Sequence, residues 1–416
     1  MFFKIRFWLK FSFFNLFLVA LIGLFMRYKI GFEFPYFNQN YLQHSHSHFA
    51  FSGWVSHTLM VLMIGFLEKQ NSNTASGINF NSYNKILSFN LISAYGMLIC
   101  FAFQGYGIYS IFFSSLSIFI SYIFGYRYLK DLKHINKKNL SVNWFKSAIF
   151  FNVISSFGTF VLAFMIATKN IHQELYLSSI YYYLHFQYNG WFFFACMGLF
   201  FSFVNLKPSQ KSPFNKIFYL FFSSCILAYF LSILWIELPR WLYIITVIAA
   251  CIQVYALVKL LSFLFKMKLK IFEIISPFLR YILLFVCLAL NLKLLLQLGS
   301  TIPFLSGLAF GFRPIVIAYL HLVLLAIVTL FLFLYIYMSQ IFEFNKQTKF
   351  GIVIFTTGVF LNEIMLVIQG VASYSNRTVY FVNELLFVAA IILVIGIGLM
   401  LKFSNIHQVF KKVIPD

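Results

Sequence analysis

HSHSHFAFSGWVSHTLMVLMIGFL, residues 44–67, decides the fold. The run carries no Asp, Glu, Lys or Arg and is long enough to cross the hydrocarbon core of a bilayer. It also gathers four of the chain's nine histidines, His44, His46, His48 and His57. Working outward, the whole chain repeats the apolar character of this run. Of its 416 residues 62% are hydrophobic and 10% charged, with 59 Phe and 25 Tyr. A soluble fold of this length cannot bury that much apolar surface, because surface grows too fast relative to volume. The composition predicts an all-α, polytopic membrane protein.

Apolar windows of sufficient length fall near 8–27, 41–67, 85–106, 109–128, 146–168, 177–204, 216–236, 241–265, 273–296, 314–341, 350–372 and 381–402. They predict about twelve transmembrane helices in a single transmembrane domain, 1–416, with no separate soluble domain or long linker. The opening MFFKIRFWLKFSFFNLFLVALIGLFM has the basic start of a signal peptide but no small-residue cleavage site, and reads as a retained first helix. The QGYG sequence at 104–107 predicts a tight hairpin. Arg280 and Lys293 interrupt the ninth window.

The formal net charge of +21 follows from membrane topology rather than from nucleic-acid binding, which is excluded as a partner. Placing both termini and every even-to-odd loop in the cytoplasm puts most of the 31 Lys and Arg there, the richest loop being RYLKDLKHINKK, 127–138. The expected location is the cytoplasmic (inner) membrane, multi-pass, in contact with the lipid bilayer, with cytoplasmic N- and C-termini. Cys100, Cys196, Cys225, Cys251 and Cys287 stand singly in apolar runs, which argues against a disulfide framework, a zinc ribbon or covalently attached haem.

The opening stretch recurs. HFAFSGW (48–54) and HFQYNGW (185–191) share H-F-x-aromatic-polar-G-W at identical spacing. YLHLVLLA (319–326) is a weaker echo, sharing Tyr-Leu-His with YLHF (183–186) but lacking Gly-Trp. The three copies fall in the second, sixth and tenth spans. This predicts three pseudo-repeats of four helices, about 1–140, 141–270 and 271–416. Each histidine lies about seven or eight residues into its helix, roughly 11 Å deep. His48, His185 and His321 should therefore share one level in the outer half of the membrane.

A histidine inside a bilayer is costly and usually functional. Imidazole suits iron, copper and zinc, and no carboxylate or thiolate is near these histidines in sequence. A haem needs only axial imidazoles and an apolar slot between helices. His48 and His321, on different helices, would serve a low-spin b-type haem, with His185 lining the site or binding a second metal. His44, His46 and His48 either hold a copper or zinc ion at the outer surface or are solvated interface residues. His57 points away from His48 and reads as a packing residue. Arg313 and Arg240 either pair with a haem propionate or snorkel to the interface. Glu363, beside Asn362 in the eleventh span, is either a proton carrier or a hydrogen-bonded structural acid. No nucleotide-binding, zinc-protease or serine-hydrolase motif occurs.

On these residues the chain resembles the catalytic subunit I of haem-copper oxidases and their nitric-oxide-reductase relatives, over its whole twelve-span layout. The resemblance implies that His48 and His321 are the axial ligands of a low-spin haem, and places His185 where the family binds copper. It breaks at two points. No His-His pair occurs anywhere, and the position of the high-spin haem ligand is Tyr319. Tyrosine is itself a known haem ligand. The implied function is electron transfer or binding of O2 or NO at haem b, with a cytochrome or quinol as electron donor and an incomplete oxygen-reducing centre, so that oxidoreductase activity stays open. The alternative is a membrane transporter for copper or zinc.

Overall fold

A computed structural model describes residues 4–32, 34–71, 78–136, 139–204, 208–266 and 275–403. Among these the chain is all helix, with no strand. The helices are α1 (Ile5–Gly31), α2 (Gln39–Asn71), α3 (Phe80–Gln104), α4 (Ile108–Leu132), α5 (Ser141–Thr168), α6 (173–201), α7 (Pro208–Leu227), α8 (Arg240–Lys266), α9 (Pro277–Gly299), α10 (Arg313–Met338), α11 (Lys346–Tyr374) and α12 (Val382–Phe403). A 3-10 stretch, Ala228–Ile233, prolongs α7, and a short helix, Pro303–Gly311, precedes α10.

The starts are written in the chain. Asn38 accepts from the backbone N–H groups of Asn40 and Tyr41, and Asn79 from that of Asn81. Ser276 accepts from Leu279 N–H ahead of Pro277, and Asn345 from Thr348 N–H. Each satisfies donors that the first turn leaves unpaired. The 104–107 hairpin is as tight as expected. Gly105 adopts a φ of +58°, and a Cβ there would lie 2.4 Å from the Tyr41 ring.

Eleven of these helices are long and apolar enough to cross a membrane. The twelfth expected span, α6, is a continuous helical run of the same length, and α5 packs along it from end to end. It falls short in apolarity because His185, Gln187 and Asn189 stand in its middle, all buried. The protein is thus an all-helical, multi-pass membrane protein. Its outer faces are apolar. On α8 Ile244, Ile248, Tyr255 and Val258 are exposed, and on α9 Leu284, Leu288, Leu292 and Leu295 form a stripe at helical spacing. These are the faces a bilayer solvates.

The hub is α2. Its most apolar window is 89% buried, against 50% or less in every other candidate span. The helices α2, α6 and α10 share a second feature. Each contains a π-helical turn, Ala50–Ser56, Phe186–Phe192 and Leu322–Thr329, beginning one or two residues after His48, His185 and His321. A π-turn carries an extra residue and frees carbonyls from the α-ladder, which in lipid must find other donors. Asn15 on α1 donates to Gly53 O at 2.6 Å, and Asn90 on α3 donates to Ser52 O at 3.4 Å. On α6 the Gly of the repeated motif is a point of close approach to a neighbour. A Cβ on Gly190 would sit 2.5 Å from Phe151 Cβ on α5.

The Trp of the motif ties the hub together. Trp54 on α2 donates to Thr329 Oγ1 on α10 at 2.9 Å, and Trp191 on α6 donates to Ser56 Oγ on α2 at 3.1 Å. Ser56 and Thr329 stand at the same place in their motifs, eight residues after His48 and His321. The equivalent residue on α6 is Phe193, and α10 has Ile327 where the others have Trp. Two Trp–hydroxyl links therefore join α6 to α2 and α2 to α10. The remaining pair, α10 and α6, has no Trp link; its polar contact is Tyr335 Oη of α10 with Ser202 Oγ, at the end of α6, at 3.3 Å.

Candidate functional site

The histidines sit at the end of the bundle where α2, α6 and α10 begin, but they do not converge as a group. Among the described residues no set of three or more His, Cys, Asp and Glu could hold a metal ion. The reason is helical rotation. His44, His46 and His48 are two residues apart, so successive ones point in different directions.

His44 and His48 face α3 and the hairpin after it. His48 stacks on Phe101, with ring centroids 4.2 Å apart and planes 10° from parallel. Its Nε2 lies 3.2 Å from Tyr106 Oη, and His44 meets the same Tyr106 ring at 4.6 Å. Burial pushes the Tyr106 phenol up to about 12, so it keeps its proton and donates to His48. The nitrogen expected to ligate iron is therefore occupied by a hydrogen bond.

His46 turns the other way, toward α1. Its Nδ1–H donates to Val19 O at 3.1 Å, which fixes the tautomer and leaves Nε2 without a hydrogen-bond partner among the described residues. Gly23 lies against this ring. A Cβ there would meet only His46, with Cε1 at 3.3 Å. Arg27, four residues after Gly23, is a charged neighbour of His46. Arg27 and His46 lie within electrostatic reach of His321, and His44 within reach of His48.

His321 is held from α11. Its Nδ1 is 3.2 Å from Asn362 Nδ2, and the same amide donates to Glu363 Oε1 at 3.3 Å. An amide can meet either tautomer of the ring, through its NH2 or its carbonyl. Arg313, at the start of α10, donates to Gln43 Oε1 on α2, so the two helix ends are tied beside the histidines.

His185 is fully buried, and both its nitrogens are taken. Nε2–H donates to Cys225 O at 2.9 Å, and Nδ1 accepts from Asn189 Nδ2 at 3.1 Å, with Ser232 Oγ at 3.5 Å. This corrects the expectation of a metal on His185, since no lone pair is left to bind one. Tyr319 packs edge-on against Tyr188 of α6, ring centroids 6.1 Å apart. The expected packing role of His57 is clear. It is fully buried, accepts from or donates to Asn90 Nδ2 through Nδ1 at 3.2 Å, and lies edge-on to Trp8.

Sequence reading missed Gly23, Arg27, Asn15 and Asn90. Asn15 and Asn90 had a signal, being polar residues inside apolar spans. Gly23 and Arg27 had none, because their meaning depends on which face of α1 meets α2. No protein-family model matches the chain, and no curated protein matches it.

Proposed function

We propose that the protein holds a b-type haem between α2 and α10 and serves in electron transfer or in binding a diatomic gas such as O2 or NO. The residues that would hold it are His46 and His321 rather than His48 and His321. The observation that carries this is the state of His46. Its Nδ1–H is anchored to a backbone carbonyl, its Nε2 has no partner among the described residues, a glycine of α1 lies against its ring, and Arg27 is within electrostatic reach of both it and His321.

The residues fit the group. Anchoring of the far nitrogen to a carbonyl is how proteins orient an imidazole ligand and raise its basicity. Asn362 does the corresponding work for His321. Arg27 and Arg313 are cations at this end that would suit the propionates. When bound, such a haem exchanges one electron at its iron. The chain's part is to orient two imidazoles and supply two guanidiniums. Glu363, linked to His321 through Asn362, is placed to hold or release a proton as charge at the site changes.

The resemblance to haem-copper oxidase subunit I supports this reading, as does the basic bias that puts both termini in the cytoplasm of an inner membrane, with a cytochrome or quinol as donor. The transporter reading needs a metal-binding cluster, and none stands among the described residues. The test is a reduced-minus-oxidised visible spectrum with a pyridine haemochrome assay on detergent-purified protein. About one low-spin haem per chain is expected. His46→Ala and His321→Ala should each abolish the low-spin bands, while His48→Ala and His185→Ala keep them. Loss of the bands in His48→Ala with retention in His46→Ala would return the ligand to His48. A colourless native protein would end the haem reading.

A further inference from the structure

The hub pair without a Trp link, α10 and α6, borders a cavity of about 90 Å³. Phe193 of α6 and Ile327 of α10, which stand where the other helices place a hydroxyl and a Trp, both line it. Leucines of α8 and α9 close it, Leu264 and Leu283 among them. Two strongly polar side chains enter this lining, Lys293 of α9 and Asn189 of α6. They are 6% and 4% exposed.

Each of the two lacks what the other could give. His185 gives its Nε2–H to the Cys225 carbonyl, so its Nδ1 can only accept, and the Asn189 NH2 must face it. That fixes the amide and leaves Asn189 Oδ1 buried without a donor. Lys293 has donors and no acceptor. Its ammonium makes no hydrogen bond and no ion pair among the described residues. One turn further along the same face of α9, Gln297 Oε1 is a second buried acceptor without a donor. A chain that crosses lipid has no bulk solvent to satisfy such groups, and leaving them unmet is costly.

The occupant must accept from an ammonium, donate to a carbonyl oxygen and be small. An anion accepts but does not donate, and an apolar gas does neither. Water does both. A single water needs about 10–15 Å³ of such a cavity, so there is room for it. The walls around Leu264 and Leu283 offer no polar partner, and apolar space of that kind stays dry. We propose that ordered water occupies the Lys293 end of the cavity and bridges its ammonium to Asn189 Oδ1, while the leucine end stays dry. The bridge extends the hydrogen-bonded line that runs from Asn189 through His185 to the Cys225 carbonyl. A hydrated cation on α9 is thereby joined to the motif histidine of α6. The site does not depend on the haem reading, because neither His46 nor His321 lines it.

The test uses crystals of the full-length protein grown in a lipid phase, diffracting well enough to show ordered water, with and without pressurised xenon. Xenon enters dry apolar cavities. The native crystals should show water within about 3 Å of both Lys293 Nζ and Asn189 Oδ1, and xenon, where it binds, only toward Leu264 and Leu283. Lys293→Met keeps an unbranched side chain and removes the charge. It should lose the bridging water and admit xenon at that end. Four results would each overturn the proposal: no water density at the site, xenon at the Lys293 end of the native protein, an ammonium bonded directly to Asn189 or Gln297, or unchanged water in Lys293→Met. Should Lys293→Met fail to fold, the native crystals with and without xenon still decide it. The haem spectrum of His46→Ala is a separate readout, so the two proposals fail independently.

Discussion

The π-turns of α2 and α6 differ from that of α10 in a way that separates structure from function. The first two are polar and laced to their neighbours. Gly53 O receives Asn15, Gln187 donates to Asn152 and Ser155, and both Trp indoles reach a neighbouring helix. The turn of α10, LVLLAIVT, has no such lacing beyond Thr329, which accepts from Trp54. The same backbone deformation is thus stabilised by interhelical hydrogen bonds in two places and by apolar packing in the third. The difference teaches that the motif's Gly-Trp belongs to the hub, not to the histidine before it. His321 keeps its place without Gly-Trp, and His185, with a full motif, is consumed by structure.

Five substitutions break or sharpen this comparison. The largest effect is expected from Gly190→Ala. Its Cβ would lie 2.5 Å from Phe151 Cβ, so a helix must shift, costing about 3 kcal/mol. The fraction of protein surviving heating, followed by fluorescence-detected size exclusion, should fall sharply. An unchanged profile would show that α5 and α6 are not in this contact. His185→Phe strands Asn189 and the Cys225 carbonyl and should cost about 2 kcal/mol on the same assay. Trp54→Phe removes one interhelical hydrogen bond, worth about 1 kcal/mol. Thr329→Val should cost the same, and the double variant little more than either alone; additive losses would break the link. The smallest effect is expected from Ala326→Gly, which writes the motif's glycine into α10. Nothing there demands closer approach, so only the helix-propensity cost of about 0.5–1 kcal/mol remains.

How much of this the sequence carried depends on the kind of signal. The helices were legible because crossing a bilayer demands a long apolar run, and Asn38, Asn79, Ser276 and Asn345 mark where runs begin. The kinship of the stretches around His48, His185 and His321 was legible because their spacing repeats, and each of the three stands just before a π-turn. The π-turns were not. One extra residue per turn leaves no trace in a run such as LVLLAIVT, where every position is apolar. The choice between His46 and His48 was equally hidden, since two residues on one helix differ only in rotation, and Val19, Gly23 and Tyr106 fix that rotation from outside the helix. The saturation of His185 needed Cys225 and Asn189, which meet only once α6 and α7 have packed.

The indole of Trp54 finds its partner 275 residues further along the chain, on Thr329. A ribosome feeding this protein into a membrane delivers α2 early and α10 nearly last. Until α10 arrives, the second helix waits with a polar N–H in lipid. The two halves of the bundle are therefore stitched at the end of synthesis rather than along the way. Chains released before residue 329 lack the closing bond.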